Sequence, residues 1–406
     1  MDAKRVEARI EKLFDLARDS GGGATRLAYS EEEARAMLLV AEWIEEAGLA
    51  PRLDRYGNLW GLPEADGPFV TSGSHVDTVP NGGRHDGALG TVLALEAVEA
   101  LEGPFGVLVC AGEEAPRFGA GTLGSRQLVG AISDADLTEM RDAGGISALE
   151  AREEFLKFLS EIPRLEDDDP LRRLAAHVEV HIEQRRRLKE QSAAVGIATA
   201  VAGPARYRLY FAGETGHSGE TRMDERRDAL CAASEAVLSV ERLSREADST
   251  VATVGTVEAE PNSLTAVPGR IELGLDVRGT EETEREALVE QAMREAAEAA
   301  KERGVGFQSR KLSAASPTKM DERVVELAEE ASRKTGVLAV RCVSRAGHDA
   351  QHVAAKVPAA LLFAASANGV SHAPEEAIDS EDIQKTLALL AALLGELEKN
   401  YGGGKA

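Results

Sequence analysis

Residues 73–90 read GSHVDTVPNGGRHDGALG, a strand end, a glycine-rich turn and a helix start in succession, the order that an α/β fold requires. A short apolar run at 69–74 precedes it and reads as a buried strand with His75 at its end. A glycine-rich turn follows, after which Asp86 begins a helix extending to about residue 101. His-x-Asp at a strand end supplies an imidazole ligand, and Asp77 is placed to orient that ring through its other nitrogen. In an open α/β sheet, ligands gather in the crevice outside the carboxyl ends of the strands.

The same arrangement recurs along the chain. The strand at 106–111 runs into AGEEAPRF, where extended backbone would turn Glu113 and Glu114 in opposite directions. One of the two can then bind a metal while the other reaches the water that the metal activates. In AAHVEVHIEQ, Val178, Val180 and Ile182 occupy one face of a strand and His177, Glu179 and His181 the other. Such a row of ionisable groups is costly on a sheet unless it meets a metal or partners. The last apolar run, 358–365, leads into ASANGVSHAPEE, with His372 in the turn. Four strand ends thus each deliver a His, Asp or Glu.

Helices are expected at 4–18, with Val6, Ile10, Leu13, Phe14 and Ala17 on one face, and at 380–399. Ser30 and Glu33 form a capping box at the start of another. Together these give an α/β fold, a largely parallel sheet with helices on both faces. Between about 203 and 315 the rhythm changes. ARYRLYFAGE, TVATVGTVEAE and RIELGLDVRG alternate apolar and polar residues, with helices at 226–243 and 281–303. This predicts an inserted α+β domain with an antiparallel sheet at 203–315, the first domain comprising 1–202 and 316–406. The terminal GGGKA is expected to be disordered.

At 406 residues, two domains are the natural expectation. Seventy acidic against 47 basic residues give a net charge of −23, which disfavours nucleic acid and anionic membrane as partners. Cys110, Cys231 and Cys342 are far apart and include no CxxC pair, so neither a disulfide framework nor a cysteine metal site is indicated. No run of about 18 apolar residues occurs, and the N-terminus lacks a signal peptide's apolar stretch. A cytoplasmic location is the expectation.

The ordered set TRLAYSEEE, DRYGNLWG, GSHVDTVPNGGRHDG, GEEAPRF, HIEQ, GHDA and GVSHAPEE resembles the hydantoinase/carbamoylase branch of the M20 metallopeptidase and amidase superfamily. The resemblance covers nearly the whole chain. It implies two divalent ions (zinc, manganese, cobalt or nickel), with His75 and His181 on one side of a bridging Asp86 and Glu114 and His372 on the other. It implies Glu113 as general base, His217 of GHSGETRM at the scissile group, Arg278 of LDVRG on a substrate carboxylate and Gln184 on the ureido or amide group. The substrate implied is a small ureido or acyl amino acid. The quaternary form implied is a homodimer whose inserted domain acts as lid and completes the partner's site, so that His217 and Arg278 act in trans.

The chain departs from the family pattern on the substrate side. Arg185 stands where glycine usually follows HIEQ, and Glu220 and Arg222 alter the histidine segment. Thr265 takes the place of a substrate-binding asparagine, with Asn262 nearby, and Arg345 replaces a glycine. Arg185 and Arg345 either answer extra negative charge on the substrate or pair with neighbouring acids. Two other readings stay open: an N-acyl-amino-acid deacylase or peptidase on the same metal site, against which HIEQ argues, and a catalytically silent binding homologue.

Overall fold

The computed structural model describes residues 1–64, 66–165 and 170–403. Its strands are β1 Ala50–Leu53, β2 Leu59–Leu62, β3 Phe69–His75, β4 Phe105–Cys110, β5 Leu174–Ile182, β6 Val195–Val201, β7 Gly203–Ala212 and β8 Gly216–His217. They continue as β9 Thr250–Glu260, β10 Ala266–Val267, β11 Arg270–Gly279, β12 Gly306–Ala314, β13 Thr318–Lys319, β14 Ala339–Ser344 and β15 Ala359–Ala364. The chain forms two compact units. One comprises residues 1–199, 320–342 and 347–406, and the other residues 200–319 with 343–346. Residues 404–406 of the terminal GGGKA lie outside the described residues.

In the first unit, strands run in the order β1-β2-β4-β3-β5-β15-β6. The central four are mutually parallel, and antiparallel strands flank them. The sequence explains this: β3, β4 and β15 are buried at every residue, as a parallel sheet covered on both faces requires. The helix Ala88–Ala100 is buried from Ala88 through Val98 and packs on β3 and β5. Two glycines set its start. Gly87 has φ +66°, and a side chain there would strike the His75 ring. A Cβ on Gly90 would stand 1.9 Å from the Val180 carbonyl oxygen, so only glycine lets helix and sheet come this close.

The helix Glu31–Glu46 starts at Ser30, whose side chain accepts from the Glu33 amide. The expected capping box is only half formed. The Glu33 carboxylate, instead of returning to Ser30, accepts from the backbone N–H groups of Tyr29 and Gly112. A buried carboxylate gains more from two trapped donors than from one exposed cap.

The second unit carries an antiparallel sheet in the order β12-β7-β11-β9, with a small β10-β8 pair. Along β11, Ile271, Leu273, Leu275 and Val277 are buried while the residues between them are not. Each of these side chains contributes about 1.5–3 kcal/mol by leaving water. They pack on the helices Ala229–Glu246 and Glu282–Glu302 through Ala232, Ala236, Ala292 and Ala296, small residues that allow close approach. Arg278 and Asp276 alternate with the core residues of β11, so their side chains lie on the opposite face of the sheet.

Candidate active site

The ends of β3, β4, β5 and β15 bring six of the predicted residues together in the first unit. His75 closes β3 with its ring wholly buried. Its Nδ1 lies 3.1 Å from the Asp77 backbone oxygen, and His181 Nδ1 lies 3.2 Å from the Ile182 oxygen. A carbonyl only accepts, so each Nδ1 is the donor, which leaves each Nε2 as the ring atom available to a metal. Those two Nε2 atoms converge to 3.4 Å, and Asp86 Oδ1 stands 2.8 Å from that of His181.

Asp86 also faces the other way. Its Oδ2 lies 3.2 Å from His372 Nε2, which in turn is 3.3 Å from Glu114 Oε1. Two groups result, His75–Asp86–His181 and Asp86–Glu114–His372, each with ligand atoms within 4.8 Å of one another. They share one carboxylate. Glu113 belongs to neither: its Oε2 approaches His75 Nε2 at 3.9 Å.

The electrostatics suit cations. Burial opposes charge on His75 and His181, yet Glu113, Asp77 and Asp86 outweigh it at His75, and Asp86 does so at His181. Both imidazoles therefore sit above their ordinary value. A hydrogen bond with Asp86 lifts His372 to about 9. Burial, joined by repulsion from Asp86, pushes Glu114 up to about 7, and burial holds Glu113 well above the usual carboxylate range. Burial would raise Asp86 too, but three surrounding imidazoles hold it low. Converging imidazoles and carboxylates in a field that favours positive charge are what divalent metal binding needs. Imidazole and carboxylate donors fit zinc, manganese, cobalt or nickel.

One expectation is corrected here. Glu113 and Glu114 do not lie on extended strand, because β4 ends at Cys110 and Gly112 turns the chain with φ +63°. Their divergence comes from a captured turn. Three successive amides are held by buried carboxylates: Gly112 N–H donates to Glu33 at 2.9 Å, Glu113 N–H to Asp77 at 3.1 Å and Glu114 N–H to Asp77 at 2.8 Å. Asp77 therefore does more than orient His75, whose Nδ1 is 3.3 Å from its carboxylate. The row on β5 also finds its partners. His177 meets Thr71 Oγ1 at 2.9 Å, and Glu179 accepts from Ser74 and from the Ala350 amide.

Sequence reasoning missed Glu33 and Glu376. Glu376 Oε1 accepts from the amides of His85 at 2.7 Å and Asp86 at 3.0 Å, so the segment bearing His372 fixes the one bearing Asp86. The pair of glutamates in HAPEE was a visible signal, but no local pattern says where such a carboxylate goes. The His348 ring packs edge-on against His181 at 4.6 Å.

Of the substrate-side candidates, Gln184 is half-buried in the turn after β5. The others lie in the second unit, in two separate places. His217 is exposed on β8, the Ser218 amide donates to the Thr265 oxygen, and exposed Asn262 precedes this pair with φ +49°. Arg278 donates from Nε to Asp276 at 2.8 Å and from Nη1 to the Arg345 backbone oxygen at 2.8 Å. The His217 cluster adjoins the Arg270 end of β11, eight residues from Arg278, or about 26 Å along the strand.

The model of peptidase family M20/M25/M40 matches residues 72–396. An N-carbamoyl-L-amino-acid amidohydrolase of Pseudomonas sp. (strain NS671) is 32% identical over 94% of this chain and 94% of its own length. The allantoate amidohydrolase of Bacillus subtilis (strain 168) is 33% identical over 96% of each. Among solved structures, a hydantoinase/carbamoylase family amidase from Burkholderia multivorans superposes with a TM-score of 0.90, at 28% identity over 98% of each chain.

Proposed function

Because the chain belongs to the M20/M25/M40 peptidase family, within its hydantoinase/carbamoylase branch, we propose that it hydrolyses a linear C–N bond of an N-carbamoyl-amino-acid-like ureido acid. The observation that carries this reading is Asp86 shared between two ligand groups, with Glu113 beside them and part of neither.

His75, Asp86 and His181 would hold one divalent ion and Asp86, Glu114 and His372 a second; when bound, such a pair lowers the pKa of water and polarises a carbonyl. Glu113 takes the proton from the attacking water and returns it to the leaving nitrogen. The captured turn at 112–114 keeps that carboxylate facing the ligands without coordinating. His217 donates to the oxyanion that develops on the scissile carbonyl. Arg278 grips the substrate carboxylate, Gln184 contacts the ureido group, and Thr265, Asn262 and Arg345 line the rest. A carbamoyl substrate then yields an amino acid, ammonia and carbon dioxide.

His217 lies beside the Arg270 end of β11, about 26 Å along that strand from Arg278, too far for both to reach a single small substrate, which supports a homodimer in which His217 serves the other copy's site. The second unit offers a surface for it. β9 is an outer strand with Val257 exposed, and Leu230 and Leu238 are exposed on one face of the adjoining helix.

The test is turnover of N-carbamoyl-L-amino acids, allantoate, ureidoglycolate and N-acetyl-amino acids, before and after chelation and with each metal restored. Ureido hydrolysis that chelation stops and a divalent ion restores is the expected result. Hydrolysis of acyl-amino acids alone, or full turnover after exhaustive chelation, would overturn the reading.

A further inference from the structure

Three consecutive arginines, Arg185, Arg186 and Arg187, follow HIEQ in a chain of net charge −23. Arginines elsewhere in this acidic chain commonly find carboxylates: Arg5 reaches Glu96 and Glu99, Arg18 reaches Glu11 and Asp15, and Arg341 reaches Glu322 and Glu329. Arg185 and Arg186 are exposed, and among the described residues neither side chain forms an ion pair or a hydrogen bond. Arg345, the other unexpected arginine, is not a free cation.

Their location gives this significance. Arg185 lies four residues beyond His181, at the carboxyl end of β5 where the ligand groups gather. The backbone here also rests against the segment leading to His372. A Cβ on Gly369 would stand 2.7 Å from Arg186 Cγ and 3.2 Å from the Arg185 carbonyl carbon. The backbone that bears the two arginines thus lies where the loop after His181 meets the loop before His372, each loop carrying a candidate ligand from a different group. Two consecutive arginines without a carboxylate partner among the described residues concentrate positive charge on one short turn, which an incoming anion neutralises.

We propose that Arg185 and Arg186 select a ureido acid with a second negative charge, an N-carbamoyl derivative of an acidic amino acid. This rests on the function proposed above, in which Arg278 takes the first carboxylate, and it assigns the second to residues outside that machinery. Recognition is by charge and by the guanidinium fork, so an amide of the same shape binds less well.

The experiment compares kcat/KM for N-carbamoyl-L-aspartate with that for its neutral isostere N-carbamoyl-L-asparagine, in wild type and in R185A/R186A. Wild type should prefer the aspartate compound by about tenfold or more, and the double variant should lose most of that ratio through KM. Raising ionic strength should erode the wild-type preference in the same way. Both side chains are exposed, so folding is checked simply by circular dichroism and metal content. If wild type hydrolyses ureido acids without charge preference, or if the variant keeps the ratio within about twofold, this inference falls and the function stands. If no ureido acid is hydrolysed, both fall together.

Discussion

Glu376 Oε1 accepts the backbone amide of Asp86 at 3.0 Å, joining residues 290 apart in sequence. The same oxygen holds the amide of His85, and Glu376 itself is buried. The carboxylate shared by both ligand groups is thus fixed through its own backbone by the loop that supplies His372. Removing that acceptor strands two buried donors and loosens the carboxylate common to both candidate ligand groups.

Glu376→Ala should therefore weaken metal binding by about 10- to 100-fold, the usual effect of losing a residue that supports a ligand. Glu376→Gln keeps an oxygen able to accept both amides and should retain most of the affinity. Chelator competition on the three proteins decides the matter. Equal affinities would show that the clamp is unimportant.

Glu113 stands outside both ligand groups, so Glu113→Gln should retain wild-type metal content while losing turnover by about 10²–10⁴-fold. Metal analysis and steady-state rates on the same preparation separate this outcome from simple loss of the ions.

If His217 serves the site of a second copy, two inactive variants should rescue each other. Mixed and allowed to exchange subunits, H217A and E113Q form hybrids in which one site has both wild-type residues. Random reassembly gives about a quarter of wild-type activity. No recovery, despite demonstrated exchange, would place His217 in its own chain's site.

Stability should fall in mild acid. Burial drives the His177 pKa down from 6.5 to about 3, and that of His352 to about 4. The unfolded chain takes up a proton as pH drops through 6.5, whereas folded His177 does so only near 3. The stability associated with neutral His177 is therefore complete above 6.5 and is lost progressively below it, by up to about 1.4 kcal/mol per pH unit. Thermal unfolding of chelated protein should show a shallower decline with acid in H177Q than in wild type. Parallel curves would assign the acid sensitivity elsewhere.

The elements were legible because their signals are local. Alternation along 270–279 marks a strand with one buried face, and the continuous apolar runs at 69–74 and 358–365 mark strands covered on both. The buried carboxylates were harder to read. Glu33 had the spacing of a capping box, and that pattern hid its bond to Gly112, 79 residues away. Glu113 and Glu114 read as strand residues because a positive φ at Gly112 leaves no mark on periodicity.

From the chain alone came the residue types that hydrolysis at a metal pair calls for, and their positions at the ends of successive strands. These follow from hydrophobic periodicity, which fixes where each strand stops and hence which side chains gather at one edge of the sheet. How those side chains divide is a property of the folded chain, with Asp86 between two groups, Glu113 apart from both, and His217 beside the end of β11 far from Arg278. Such a division depends on hydrogen bonds between segments remote in sequence and on distances along a folded strand. Neither is encoded in the spacing of neighbouring residues.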